Sequence, residues 1–558
     1  LVWHYLYDAP RHSPAGDRVG EATCAVKPWP HQIRAFQRLW QRWPPKLLIA
    51  DEVGLGKTIQ AGLLLRQAWL SGRAKRILIL APAALLQQWQ VELREKFNLH
   101  WPIYDGKALR WLATPGWHQP TEQTVSRDQW HQQPCVLVSS QLVRRQERSR
   151  ELLQAEPWDL VILDEAHHAR RQGLSRDRPN QLLRLMQQLK DRTQGLVLLT
   201  ATPMQVDPIE VWDLLNLLGL PPEWTAEQFC RFFELTTTPA PSRDDWQTLA
   251  HLFKAMERYY GPMPLDIAQQ YVPQRRIAQK ILTALRDVSS IPLQKLESDQ
   301  RQAALRILRA YSPVRLLISR HTRDLLRAYH RAGKLTTPIA QRHVQDEFIF
   351  LSAAERQVYE AVEDYIATTY NNAAAGDRNA IGFVMTIYRK RLASSFYALA
   401  QTLGDRLAKL QGASTPSLAT AENLADELEA GIESDHTTDW ETAALNYEEA
   451  NELEKLLRQV QALPTDTKTQ VLKRVIQQLQ TAGYPQVIVF TQFTDTLDFL
   501  RQELTASMGL RILCFSGRGA KFLLRTRGGY RLVARKPSAA FAIALRMCCC
   551  VPMPPPKG

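Results

Sequence analysis

Leu47-Leu48-Ile49-Ala50 runs straight into Asp51-Glu52-Val53-Gly54-Leu55-Gly56-Lys57-Thr58, and a helical apolar pattern follows from Ile59 to Trp69. The apolar run predicts a buried strand, and the pattern after it a helix. Glycines at 54 and 56 let the backbone turn its N–H groups inward around phosphate oxygens, while the next helix offers its positive end. In that arrangement Lys57 reaches the β- and γ-phosphates of ATP and the Thr58 hydroxyl ligates Mg2+. Strict loops of this type begin with Gly where this chain has Asp51. Taken alone, the eight residues also fit a glycine-rich turn before a helix.

Working outward, short apolar runs alternate with longer helical patterns between residues 47 and 203. The further runs are Ile77 to Ala81, Val136 to Ser139, Leu160 to Leu163 and Leu196 to Thr200. Such alternation predicts an α/β fold, a parallel sheet with crossover helices. Ligands in these folds lie beyond the carboxyl ends of the strands. There Leu160–Leu163 meets Asp164-Glu165-Ala166-His167-His168. A carboxylate at a buried strand end can hold magnesium, and its neighbour can orient and deprotonate an attacking water, roles we assign to Asp164 and Glu165. The other reading is an acidic cap beside a core strand. His167 has no spaced Cys or His partners for a zinc site, so we read it as a coupling residue. Thr200-Ala201-Thr202-Pro203 places two hydroxyls at another strand end, where Thr200 and Thr202 can sense the γ-phosphate, although Thr and Pro also simply make turns.

The order of these elements resembles the superfamily-two helicase-like ATPases, in particular the Swi/Snf family and its bacterial RapA/HepA-like branch. Pro30-His31-Gln32 resembles the adenine-reading segment, which implies a base contact for Gln32. Ala81-Pro82 with Gln88-Trp89, and Ser139-Ser140-Gln141 with Arg144-Arg145, resemble segments that touch the nucleic-acid backbone. Thr200-Ala201-Thr202 matches the bacterial form. Ile488-Val489-Phe490-Thr491-Gln492-Phe493 resembles the opening motif of a second motor lobe. The resemblance covers roughly residues 28 to 519 and implies a RecA-like P-loop NTPase lobe, a large helical insertion and the start of a second RecA-like lobe. It further implies ATP and Mg2+ as ligands and an ATP hydrolase, with Lys57, Asp164 and Glu165 catalytic. Translocation along double-stranded DNA is expected, with a polymerase or other DNA-bound complexes as protein partners.

Composition bounds the rest. The 558 residues carry a net charge of +14. After Glu503 no acid recurs while ten basic residues follow, so residues 1 to 503 carry only +4. Global charge is therefore weak evidence for a polyanionic partner, and local patches must carry it. Residues 301 to 334 hold eight Arg and Lys334 against Asp324, and we take Arg320 and Arg323 from this stretch as nucleic-acid candidates. Glu422 to Glu454 holds twelve acids and no Lys or Arg, which reads as solvated helix surface. No apolar run approaches the ~18 residues of a membrane span, so no membrane partner is expected. Scattered Cys24, Cys135, Cys230 and Cys514 form neither a disulfide framework nor a metal pair, which points to a reducing, cytoplasmic compartment, nucleoid-associated if bacterial.

The expected organisation is an N-terminal flank (1–27), the first lobe (28–220), a mostly helical insertion with a short strand candidate at Phe348 to Leu351 (221–465), the start of the second lobe (466–519) and a basic tail (520–558). Strands are expected at Gln486 to Phe490 and Arg511 to Phe515. Leu1 is not Met, and we read the chain as a fragment at that end. The second lobe's Gln-, Gly- and Arg-rich motif, which supplies an arginine finger in this family, has no counterpart here. The tail ends instead in Cys548-Cys549-Cys550 and Pro554-Pro555-Pro556. A basic nucleic-acid arm or a metal site are two readings of it, the latter weak because adjacent cysteines cannot wrap a tetrahedral ion. A third is a frameshift near residues 519 to 521: back-translation of Arg546 to Gly558, read from the third base of the Arg546 codon, permits Asp-Val-Leu-Leu-Cys-Thr-Asp-Ala-Ala-Ala-Glu-Gly, which resembles the missing motif. On that reading the chain as written is a hydrolysis-deficient nucleotide- or nucleic-acid-binding fragment. A strand-separating RNA helicase is a further option.

Overall fold

The structure is a computed structural model that describes residues 18–113, 121–127, 129–172, 178–202, 208–238, 240–287, 296–341, 343–372, 388–410, 447–464, 466–484, 486–491, 493–510, 512–516, 519–526, 529–535 and 548–552. The chain divides into two units, Leu1–Gln341 and Arg342–Gly558. Pro203, residues 422–446 of the acidic stretch, Gln492 and the out-of-frame reading's Arg546 and Pro554–Pro556 lie outside the described residues.

In the first unit the strands are β1 (Lys46–Ile49), β2 (Ile77–Ala81), β3 (Ile103–Tyr104), β4 (Ala108–Arg110), β5 (Glu122–Thr124), β6 (Cys135–Ser139), β7 (Trp158–Leu163), β8 (Thr193–Leu199) and β9 (Ile318–Ser319). They form one sheet in the order β9-β1-β8-β7-β2-β6-β3-β4-β5. Every pair from β9 to β3 is parallel, and β4 and β5 add on antiparallel. All five apolar runs named from sequence are strands here. Their continuous apolar character follows from burial on both faces. Leu48, Leu80, Val138, Leu163 and Leu198 enter one core, while Ile49, Ile79, Leu137, Ile162 and Leu199 enter the other.

Helices α1 (Pro30–Gln41), α2 (Lys57–Leu70) and α3 (Ala83–Phe97) supply Phe36, Leu64 and Phe97 to the second of these cores. The first is continued by helices Pro208–Leu218, Ala226–Thr237, Arg243–Tyr260, Arg275–Arg286 and Ser298–Ala310, through Leu215, Phe232, Phe253, Ile281 and Ile307. Residues 221 to 341, expected as part of an insertion, therefore belong to the first unit, and their last strand, β9, lies beside β1. Sequence separation hid this, because a two-residue strand carries no periodicity.

The second unit has helices α5 (Ala353–Asn372), Phe396–Leu410 and Tyr447–Gln461 around Val362, Leu399, Leu403 and Leu453. Helices α6 (Thr467–Thr481) and Thr494–Met508 pack Ile476, Leu497 and Leu504 against Ile512. Residues 348–351 form no strand, and Phe348 and Phe350 are exposed, so that sequence expectation is corrected: the apolar run has no partner to pair with. The expected strands appear as β10 (Val489–Thr491) and β11 (Ile512–Ser516), but the sheet is β10-β14-β11-β12-β13, with β12 (Gly519–Thr526), β13 (Gly529–Arg535) and β14 (Cys548–Pro552) all antiparallel to their neighbours. These residues do not build the parallel sheet that a RecA-like lobe needs.

Candidate nucleotide site and the family it identifies

Register decides what meets at the sheet edge. Ile49 pairs with Leu199, Leu198 with Leu163, and Leu163 with Leu80, so β1, β8, β7 and β2 end level. Asp51, Thr200, Asp164 and Pro82 therefore emerge at one carboxyl edge, where parallel α/β sheets bind ligands.

The loop after β1 takes the left-handed conformation at Gly54 (φ +83°) and Gly56 (φ +78°), which a side chain would strain. A Cβ on Gly56 would also lie 2.4 Å from Gln32 Nε2. Gly56 caps α2, so Lys57 and Thr58 form its first turn, whose N–H groups have no intrahelical acceptor and suit an anion. Lys57 Nζ donates to the Asp51 carbonyl at 3.2 Å, folded back onto its own loop. Gln32 accepts from Trp29 N–H at 2.8 Å and donates to the Leu55 carbonyl at 3.1 Å, and His31 Nε2 lies 2.9 Å from the same oxygen. Gln32 thus packs against the glycine loop.

Asp51 answers the departure from the glycine pattern. It is buried and accepts from Gln60 Nε2 at 2.6 Å, from His321 N–H at 2.8 Å and lies 3.0 Å from His321 Nδ1. One residue on, Glu52 accepts from Arg323 N–H at 3.0 Å, and Arg323 Nη2 donates to the Val53 carbonyl at 3.2 Å. The turn from β9 into α4 (Arg323–Arg331) therefore braces the loop from its far side. Arg323, a nucleic-acid candidate from sequence, is half-buried and bonds the glycine loop, whereas Arg320 is exposed. His31 sits 5.3 Å from His321 ring to ring, and burial lowers its pKa despite the Leu55 carbonyl and Asp51.

The acidic pair closes the site. Asp164 Oδ1 accepts from Glu165 N–H at 2.9 Å and Oδ2 from Trp89 Nε1 at 2.7 Å. Burial pushes the Asp164 carboxyl up to about 6; the Trp89 hydrogen bond opposes this, the Glu165 charge adds to it and the Lys57 charge opposes it. For Glu165 burial is again the largest influence and upward, but His167, Lys57 and His168 together hold its carboxyl below the ordinary value. The Lys57 charge favours the ionised form of both carboxylates. Glu165 itself is left-handed (φ +50°), a conformation that costs a non-glycine residue about 1 kcal/mol or more. His167 Nδ1 lies 3.2 Å from Glu165 Oε2 and 3.0 Å from Thr200 Oγ1, and Thr202 N–H donates to that hydroxyl at 3.2 Å. The chain Glu165–His167–Thr200–Thr202 joins the ends of β7 and β8.

The residue set suits a magnesium nucleotide: hard oxygen donors at Thr58 and Asp164, a lysine and a helix start for phosphate. Among the nucleic-acid candidates, Arg145 is exposed, and Arg144 and Gln88 are half-buried, Gln88 donating to Glu92 at 2.8 Å. Trp89, in a segment read from the resemblance as touching the nucleic-acid backbone, is only 2% exposed: its ring lies in the core and its N–H is spent on Asp164. Sequence reasoning missed Asp51, His321 and the Trp89 bond; the departure at Asp51 was the one local signal.

A family model described as "SNF2-related domain" matches residues 31–393, more than half of the chain. RNA polymerase-associated protein RapA of Photobacterium profundum is 39% identical over 190 residues, 34% of this chain and 18% of that protein; the same-named protein of Vibrio vulnificus is 40% identical over 191 residues with the same coverage. The match thus spans less than a fifth of those relatives' length. The Sulfolobus solfataricus SWI2/SNF2 ATPase core in complex with dsDNA aligns over 87% of this chain and 71% of its own, at 14% identity and a TM-score of 0.32. On the family match over more than half of its length, the chain belongs to the SNF2-related family of helicase-like ATPases, and a third of it is similar to RapA proteins.

Proposed function

We propose that the chain is the ATP-hydrolysing part of a motor that translocates on double-stranded DNA. The observation that carries this reading is the strand register that brings the Gly54–Thr58 loop and the Asp164–Glu165 pair to one carboxyl edge of the sheet. ATP would lie on the Gly54–Thr58 loop with its base toward Gln32, and Thr58 and Asp164 would hold Mg2+. The metal, when bound, neutralises charge on the phosphate oxygens. Lys57 offers a cation to the β- and γ-phosphates. Glu165 orients the attacking water and takes its proton, its carboxylate kept ionised by His167. The His167–Thr200 bond links that base to the next strand end, so loss or gain of the γ-phosphate is felt there.

The resemblance and the RapA-like relatives support duplex DNA as track and a polymerase or another DNA-bound complex as partner. No helix among the described residues is long and apolar enough to cross a membrane, and the cytoplasm, with nucleoid DNA, is the compartment we propose. A second reading rests on the antiparallel β10–β14 sheet: as written, the chain binds nucleotide and hydrolyses almost none, since an arginine finger is worth about 10³ to 10⁵ in rate.

ATP turnover with and without duplex DNA separates these readings. The motor reading expects DNA-stimulated turnover that Lys57→Ala and Glu165→Gln each reduce by about 10²-fold or more. Nucleotide binding without turnover in the unmodified chain favours the second reading, stimulation by RNA rather than duplex favours a strand-separating relative, and turnover indifferent to both substitutions contradicts the site.

A further inference from the structure

Trp89 lies on α3 six residues after Ala83, a rise of about 9 Å along the helix. At the start of that helix the Ala83 N–H donates to Gln141 Oε1 at 3.0 Å, and Ser139 Oγ lies 2.7 Å from the same oxygen. One side-chain amide therefore ties the loop after β2 to the loop after β6, the two segments that resemble nucleic-acid contacts. Ala83 is exposed there, on the outer surface of the unit. Further along the helix, the buried Trp89 indole donates to Asp164 Oδ2 at 2.7 Å. Together with the Glu165 N–H on Oδ1 this occupies one acceptor direction on each carboxylate oxygen and, among the described residues, leaves the other open. Two donors held in the core thus fix the plane of the carboxylate. Partners behind a metal-holding group set its orientation and its affinity in this way.

We propose that Trp89 is a positioning residue that couples nucleic acid seated on the 82–83 and 139–141 loops to the magnesium affinity of Asp164. A contact that shifts the start of α3 moves the indole N–H with the helix, and the carboxylate turns with it. This inference rests on the magnesium-nucleotide reading of the site. Ordinary core packing does not predict it, since a buried indole can lack a partner: Trp158 Nε1, 1% exposed and at the far end of the strand that Asp164 follows, finds none among the described residues.

The test is the Mg2+ dependence of binding of a fluorescent ADP analogue to the full chain, with and without duplex DNA. For the unmodified chain half-saturating Mg2+ should fall when DNA is added. In Trp89→Phe it should rise about tenfold and no longer respond to DNA, while metal-free nucleotide affinity is unchanged. Trp158→Phe, with the same loss of ring volume, should titrate like the unmodified chain. A Trp89→Phe titration matching the unmodified chain, or an equal shift in Trp158→Phe, overturns the inference and leaves the site reading standing. Absence of any Mg2+-dependent nucleotide binding in the unmodified chain overturns the site reading itself. Should Trp89→Phe not fold, the indole N–H spectrum of the unmodified chain decides: a signal that moves with Mg2+ and ADP but not with ADP alone supports the proposal, and none that does so overturns it.

Discussion

The two sheets of this chain are built from similar apolar runs and come out differently. In the first unit β1, β2, β6, β7 and β8 lie parallel with helices over both faces, and residues such as Leu80, Val138 and Ile162 are fully buried. In the second unit the run at 486 to 490 carries the same alternation of chemistry, yet Ile488 and Phe490 are 55% and 57% exposed. A parallel sheet requires cover on both faces, because crossover helices close it as they form it. The second sheet is completed by antiparallel strands from the basic tail, which need no crossover and, among the described residues, bring no helix with them. An apolar strand is thus necessary for a RecA-like lobe but is not enough; the crossovers that follow it decide whether it is covered.

That contrast can be broken by substitution. Leu80→Ala in the first sheet should cost about 3 kcal/mol, the transfer of a buried side chain plus the cavity left behind. Phe490→Ala in the second should stay within about 0.5 kcal/mol, as for other exposed positions. Hydrogen exchange of peptides from each sheet reads the two units separately. Equal costs would show that the second strand is covered after all.

A smaller effect sharpens the comparison within the second unit, where a carboxylate rather than a sheet joins the helices. Glu355, near the start of α5, accepts from Thr467 N–H and Thr467 Oγ1 at the start of α6, and from Ser352 N–H. Burial pushes its carboxyl up, but these hydrogen bonds outweigh it and hold the pKa below the ordinary value. Since the folded state then favours the charged form, the stabilisation is complete above the unfolded value of ~4.3 and is lost as pH falls through the lower folded value. Exchange protection of α6 should fall across that acidic window in the unmodified chain. In Glu355→Gln it should be lower at neutral pH and flatter through the window. An unchanged pH profile in Glu355→Gln would place the dependence elsewhere.

Much of the first unit was legible from sequence because its signals are local. The glycine loop, the strand ends at Asp164 and Thr200, and the helix expected over Ile59 to Trp69 and found at Lys57–Leu70 each depend on residues within one turn or strand. The convergence of Lys57 on the acidic pair followed from the rule that parallel strands present their carboxyl ends together. The two- and three-residue strands β3, β4, β5 and β9 were not legible, being too short to show a period. Asp51 was seen as an anomaly, but its partner His321 lies 270 residues away, and no spacing rule relates them. Trp89 was taken for a nucleic-acid contact from the resemblance of its segment and Arg323 from the arginine-rich stretch 301 to 334; burial of the first and the bonds of the second to the Glu52–Val53 backbone and side chain were visible only in three dimensions. At Phe348–Leu351 the apolar run was real, but a strand exists only where a neighbouring strand accepts its hydrogen bonds.

The account stands on one nucleotide engaging both the glycine loop and the acidic pair. Crystals of the chain soaked with Mg2+ and a non-hydrolysable ATP analogue test this most directly. The terminal phosphate should lie between the Lys57 ammonium and the Glu165 carboxylate, with the metal reached by Thr58 and Asp164. Density for the analogue at any other place, or phosphates on the loop with Asp164 and Glu165 turned to a separate cavity, would contradict it.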